Sequence, residues 1–199
     1  MPKPASFFSR IGVFEFGCQV EKSWDISAVA KPYMEHLAKQ TGASVMLSIC
    51  QGGSVITLDQ VQPRGNLRIV SDVGARLPIY CTSQGKVFLS YMPPSDAQKL
   101  LKRQSLIPYT PHTITDTPLL LQELERCREA DYAIENGEYK IGLRSISAPV
   151  YTLGGAVKYT VGVIGMFRSV HSEEFANAIE QVKSTASMIS AALGCQPQP

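Results

Sequence analysis

The chain has 199 residues, 44% hydrophobic and 18% charged, which fits one ordinary globular domain with a real core and excludes disorder. The formal net charge is +2, from 19 basic and 17 acidic side chains; residues 1–40 hold five basic and four acidic groups and there is no Lys/Arg run, so the chain has no basic arm with which to grip nucleic acid. Five cysteines, an odd number without a CxxC pair, suggest neither a disulfide framework nor a zinc site but reduced thiols in a cytoplasmic protein, and no apolar signal core or bilayer-length run is present.

Residues 1–20 scatter Phe7, Phe8, Ile11, Phe14 and Phe16 among Gly12 and Gly17 and read as a linker. A helix is expected over about residues 25–41, where Ile26, Val29, Tyr33 and Leu37 recur at three- and four-residue spacing and Gly42 stops it. Pro32 inside that pattern should kink the helix or mark a late start. SVMLSIC follows, with Val45, Leu47 and Ile49 on one face; Gln51-Gly52-Gly53 turns the chain and SVITLDQV returns as its partner strand. A third strand is expected at Asn66–Val70.

Helices come next. Thr82 or Ser83 can cap one that runs to about Tyr91, and Ser95-x-x-Gln98 has the capping-box pattern for a second. Thr117-Pro118 reads as a cap followed by proline at the first helical position, with Leu120, Leu121, Leu124 and Cys127 on the inner face. Strands then return as SISAPVY and VKYTVGVIGMF around Leu153-Gly154-Gly155. In the second of them Val157, Tyr159, Val161 and Val163 share one face, and Thr160, Gly162 and Ile164 the other. A last helix starts at Ser172, with Glu173 and Glu174 in its first turn and Phe175, Ile179, Val182, Ala186, Ile189 and Leu193 as its apolar stripe. QPQP reads as a frayed tail. This order of elements argues an α+β fold, an antiparallel sheet of about six strands flanked by helices.

Two segments carry a resemblance. LPIYCTSQGKVFLSY (residues 77–91) and LERCREADYAIENGEYKIGLRSISAPVY (residues 124–151) together resemble the effector-domain signature of the IclR family of bacterial transcription regulators, and the likeness covers roughly residues 10–195. It implies a GAF/PAS-like domain over residues 21–195 that senses a small organic acid, without cofactor or metal, in homodimers or homotetramers. It also implies DNA binding through an N-terminal winged helix-turn-helix, of which residues 1–20 would be the linker remnant, with 196–199 a flexible tail. The winged helix itself has no counterpart in the sequence, so the chain is expected to bind ligand without binding operator DNA.

The resemblance places the effector's anion on the backbone amides of Ser83 and Gln84. With Thr82 as cap these are the first two helical positions, whose N–H groups lack intrahelical partners and lie at the positive end of the helix dipole. Gly85 would leave the approach open. The family's pocket acid falls on Glu135, the next polar position on Ser145, and two facing-strand positions, often serine in members that bind very small acids, on Gly162 and Ile164; Ile69, Leu77 and Leu143 match its apolar wall. Glycine and isoleucine in place of serines favour an effector larger than glyoxylate, such as an aromatic or branched carboxylate.

Blander readings stand beside these. Thr82 and Ser83 can simply cap a helix in solvent, ENGE alone reads as an exposed polar turn, Ser145 and Ser147 can be the wet face of a strand, and Arg144 serves a ligand or a structural salt bridge. Cys81, just before a helix start, is either a buried inert thiol or the nucleophile of a small GAF-fold reductase. A standalone module that oligomerises with longer relatives is a third reading. His36, His112 and His171 have no ligand spacing, and no catalytic motif occurs.

Overall fold

The computed structural model describes residues 26–63, 69 and 72–195. Helix α1 occupies residues 26–41, followed by strands β1 (Ser44–Gln51), β2 (Ser54–Val61) and β3 (Arg76–Pro78), helices α2 (Ser83–Tyr91), α3 (Pro94–Arg103) and α4 (Thr117–Ala130), strands β4 (Ala133–Asn136), β5 (Arg144–Tyr151) and β6 (Val157–Gly165), and helix α5 (Glu173–Ala192). The six strands form one sheet in the order β3-β2-β1-β6-β5-β4, with every neighbouring pair antiparallel. This is the expected α+β architecture. The third strand is β3; the expected one at 66–70 lies outside the described residues except for Ile69, as do residues 1–25 and the tail.

Strand alternation divides the side chains between two layers. Val45, Leu47, Ile146, Ala148, Val150, Val161 and Val163 face α1 and α5 and close the main core with Met34, Leu37, Phe175, Val182 and Ile189. On the other face α2, α3 and α4 pack through Ile79, Phe88, Leu89, Leu101, Leu120 and Leu124 against Val55. Pro32 lies within α1 without ending it. Proline removes the hydrogen bond to the carbonyl four residues back; Ala28 and Pro32 are both exposed, so that carbonyl can turn to water. The buried stripe is Ile26, Ala30, Met34, Leu37 and Ala38, with Tyr33 half-buried beside it. Alternation in β6 holds from Tyr159 onward. A register shift near Val150 and Tyr151 turns Val157 instead toward Val87 and Cys127 on the α2 side.

Helix starts follow the capping chemistry, with two corrections. Thr82 caps α2, its hydroxyl accepting from Gly85 N–H at 3.2 Å, and Ser172 caps α5 by accepting from Phe175 N–H. Helix α3 starts at Pro94 behind Pro93, without a side-chain cap, so Ser95 opens no capping box: proline's fixed φ starts the turn one residue earlier. Helix α4 is capped by Asp116, whose carboxylate accepts from Leu119 N–H at 2.9 Å; Thr117 is its first residue and Pro118 its second.

Gly85 has a role that differs from the expected one. A Cβ there would overlap the carbonyl of Ile79. The glycine lets the first turn of α2 lie against the segment leading into it, and does not open an approach for a ligand.

Candidate functional site

The face of the sheet beneath α2 is polar. Its rows, read across the strands from their register, are Ser44, Ile164, Ser145 and Glu135; then Met46, Gly162, Ser147 and Ala133; then Ser48, Thr160 and Pro149. An antiparallel sheet covered by a helix would ordinarily bury an apolar row there. Hydroxyls and a carboxylate instead face the start of α2. Ser83 and Gln84, the first and second residues of that helix, are buried against them, and the Ser83 and Ser147 hydroxyls lie 2.8 Å apart in a hydrogen bond.

Glu135 belongs to β4, a strand the residue pattern alone does not mark, and it is buried rather than in an exposed turn. Its Oε1 accepts from the Glu138 N–H at 2.5 Å and the Tyr139 N–H at 3.1 Å, and its Oε2 accepts from the Ser145 hydroxyl at 3.1 Å. The carboxylate thereby pins the loop over residues 137–143 onto the sheet. Burial pushes its pKa up, against the lowering effect of those donors. Ser145 and Ser147 are both buried, so neither is a wet strand face.

Of the other expected residues, Gly162 and Ile164 point to the same face, as alternation implies. The space beside Gly162 is already taken: a Cβ there would overlap the Ser147 hydroxyl and the Ile146 carbonyl. Glycine at this position makes room for Ser147 to reach Ser83; it does not enlarge a cavity. Ile164 and Leu143 are half-buried. The Ile69 carbonyl is held by the Nε2 groups of Gln60 at 2.6 Å and Gln62 at 3.0 Å. Leu77 is apart from this group, on β3 opposite Val55 and in the second core. Arg144 donates to the carbonyl of Phe167 at 2.5 Å.

Lys86 is the buried charged residue beside this face that the sequence reading does not single out. It is 1% exposed, and its Nζ donates to Glu138 Oε1 at 2.5 Å and to the Ile134 carbonyl at 3.1 Å, with Glu123 at 3.8 Å. Lys86 follows Ser83 by three residues and so lies on the same side of α2. It ties that helix to β4 and to the loop Glu135 pins. The available signal is the one charged residue in the helix SQGKVFLSY.

Cys81 is fully buried, and burial pushes its thiol up to about 12, the reverse of an activated nucleophile. Among the described residues no group of three His, Cys, Asp or Glu could hold a metal ion, and no helix is long and apolar enough to cross a membrane.

The helices and six-stranded antiparallel sheet form an α+β domain in which a buried helix start lies over a partly polar sheet face. The family model "Bacterial transcriptional regulator IclR C-terminal" matches residues 18–191. The chain is 29% identical over 189 residues to the HTH-type transcriptional repressor AllR of Escherichia coli K12, covering 95% of this chain and 70% of that protein. The crystal structure of the Thermotoga maritima IclR superposes with a TM-score of 0.82 at 29% identity, over 92% of this chain and 74% of that one. An IclR homologue from Microbacterium hydrocarbonoxydans, crystallised with 4-hydroxybenzoate, shares the fold at a TM-score of 0.78 and 20% identity, over 87% of this chain and 70% of that one. The chain belongs to the IclR family of bacterial transcriptional regulators, as an effector-binding domain. These relatives are regulators and not enzymes, and nothing supports the reductase reading of Cys81.

Proposed function

We propose that this domain senses a small carboxylate, larger than a two-carbon acid, held between the start of α2 and the sheet face carrying Glu135 and Ser145. The reading rests on one observation above others: the first two amides of α2 are buried over a polar sheet face instead of opening to water. An anion there takes two N–H donors and the positive end of the helix dipole. Half-buried Ile164 and Leu143 supply apolar rim, suited to an aromatic or branched body. The fold relative crystallised with 4-hydroxybenzoate supports this class of ligand by analogy. Ser83, Gln84, Glu135, Ser145, Gly162 and Ile164 form the proposed site, with Leu143 and Ile69 at its edge and Leu77 behind it. Calorimetric titration with glyoxylate, pyruvate, 4-hydroxybenzoate and branched acids tests the reading. The larger acids are expected to bind more tightly; tight glyoxylate binding without any affinity for the larger acids refutes it.

Residues 21–195 constitute the sensor in this reading, a cytoplasmic one. Operator binding belongs to a winged helix, attached or brought by a partner, whose presentation shifts because the effector has unequal affinity for two states. Subunits associate as dimers or tetramers. Exposed Leu153, Met166 and Ile141 provide apolar surface for such contacts. Light scattering at micromolar concentration is expected to show an assembly, and a monomer alone contradicts it.

A further inference from the structure

At the effector site just proposed, one side-chain hydrogen bond joins the first residue of α2 to β5, apart from the Lys86 bonds that tie the next turn of the helix to β4 and the loop after it. Ser83 and Ser147 are each 0% exposed, and their hydroxyls bond to one another across the gap between α2 and β5. Ser147 can stand there only because the facing residue on β6 is Gly162, whose missing side chain leaves that space to the Ser147 hydroxyl. A carboxylate could not reach the amides of Ser83 and Gln84 while this bond holds, because the sheet lies against them.

A second observation marks the same face as prepared for a polar guest. Ser48 and Thr160 stand opposite each other in register, in the row next to Ser147, and both are 0% exposed. Neither hydroxyl has a hydrogen-bond partner among the described residues. Buried hydroxyls are normally satisfied, and these two neighbouring exceptions under one helix leave hydrogen-bonding capacity that a polar guest or a water can fill. Packing alone does not explain them, since valine and alanine would fit the same positions without the penalty.

We propose that Ser147 is the gate of the effector site. Its hydroxyl latches Ser83 and holds the start of α2 closed on the sheet, and a carboxylate enters by breaking this bond and inserting between the two serines. The exchange is favourable in hydrogen-bond terms. One neutral hydroxyl pair is lost. The anion then accepts from the Ser83 and Gln84 amides and from both released hydroxyls, and charge-assisted bonds are about twice as strong as neutral ones. The charged groups facing the gate are Glu135, occupied by Ser145 and two amides, and Lys86 one turn along α2, occupied by Glu138. Neither competes for the latch.

The proposal rests on the carboxylate reading, and the experiment separates the two. Calorimetry establishes whether benzoate or 4-hydroxybenzoate binds the unaltered protein. Stopped-flow measurements then compare its association rate with those of Ser147→Ala and Ser83→Ala, which remove the latch from opposite sides while keeping both backbone amides. Each variant is expected to associate about tenfold faster, the worth of one neutral hydrogen bond that no longer has to open. Both variants should also melt at a lower temperature when ligand-free and gain more on ligand addition. Acid binding with unchanged association rates in both variants overturns the gate alone. Absence of binding by these acids and by the branched acids and pyruvate overturns the carboxylate reading and the gate with it.

Discussion

Ser83→Pro is expected to weaken binding of 4-hydroxybenzoate by about 10- to 100-fold relative to Ser83→Ala, the worth of one charge-assisted amide donor. The comparison isolates the backbone, since both variants lack the hydroxyl that meets Ser147. Proline suits the position structurally. It is favoured at the first residue of a helix, where the N–H has no intrahelical partner, and Thr82 before it already has φ −122° and ψ 146°, the extended geometry that a pre-proline residue prefers. Circular dichroism should therefore show unchanged helix content, with the loss confined to affinity. Equal affinities in the two variants would place the anion elsewhere and remove the helix start from the site.

The second large effect concerns stability. Lys86→Met leaves the Glu138 carboxylate buried without its cation, and urea denaturation at neutral pH should show a loss of about 3–5 kcal/mol, the usual cost of orphaning one member of a buried ion pair. The double variant Lys86→Met, Glu138→Leu should recover much of it, because neither charge then needs to be desolvated. The pH dependence has a definite sign. Burial raises the Glu138 pKa above its usual 4.5, and Lys86 is the largest influence lowering it. Without Lys86 it rises further. A carboxyl group with a raised folded-state pKa gives stability that is fully present below about the unfolded value and is lost as the pH climbs through the folded one. The single variant should therefore lie nearest the parent protein at pH 4.5 and below, and fall away as the pH rises. A deficit that is constant across that range would mean that Lys86 acts through packing and its bond to Ile134 rather than through charge.

Lys86 and Glu138 also show why the site is only partly legible from the residues. Lys86 is the one charged residue of α2, and Glu138 stands in a stretch that reads as an exposed turn. Nothing local says that the two meet, since 52 positions separate them. Glu135 is recognisable through a family resemblance, yet its work in holding the loop through the Glu138 and Tyr139 amides depends on a fold-back that no spacing encodes. Gly162 reads as extra room because a missing side chain suggests space. The neighbouring strand decides who takes that space, and here Ser147 does. Leu77, matched to the pocket wall, packs instead in the second core because β3 lies at the far edge of the sheet.

Local residue patterns set most of the elements and their faces, though not the short strands β3 and β4. Thr82 and Ser172 start helices because their hydroxyls accept amides three residues on. The alternation of β6 puts Val161 and Val163 on one side and Gly162 and Ile164 on the other. These are short-range consequences of backbone geometry, repeating about every 2 or 3.6 residues. Only the tertiary structure decided which of those faces meet: that α2 lies over a strip of hydroxyls, that Ser83 finds Ser147, and that a buried lysine joins β4 to the helix above it. Such pairings link positions dozens of residues apart and are set by strand order and by which layers exclude water, physical conditions that no local pattern contains.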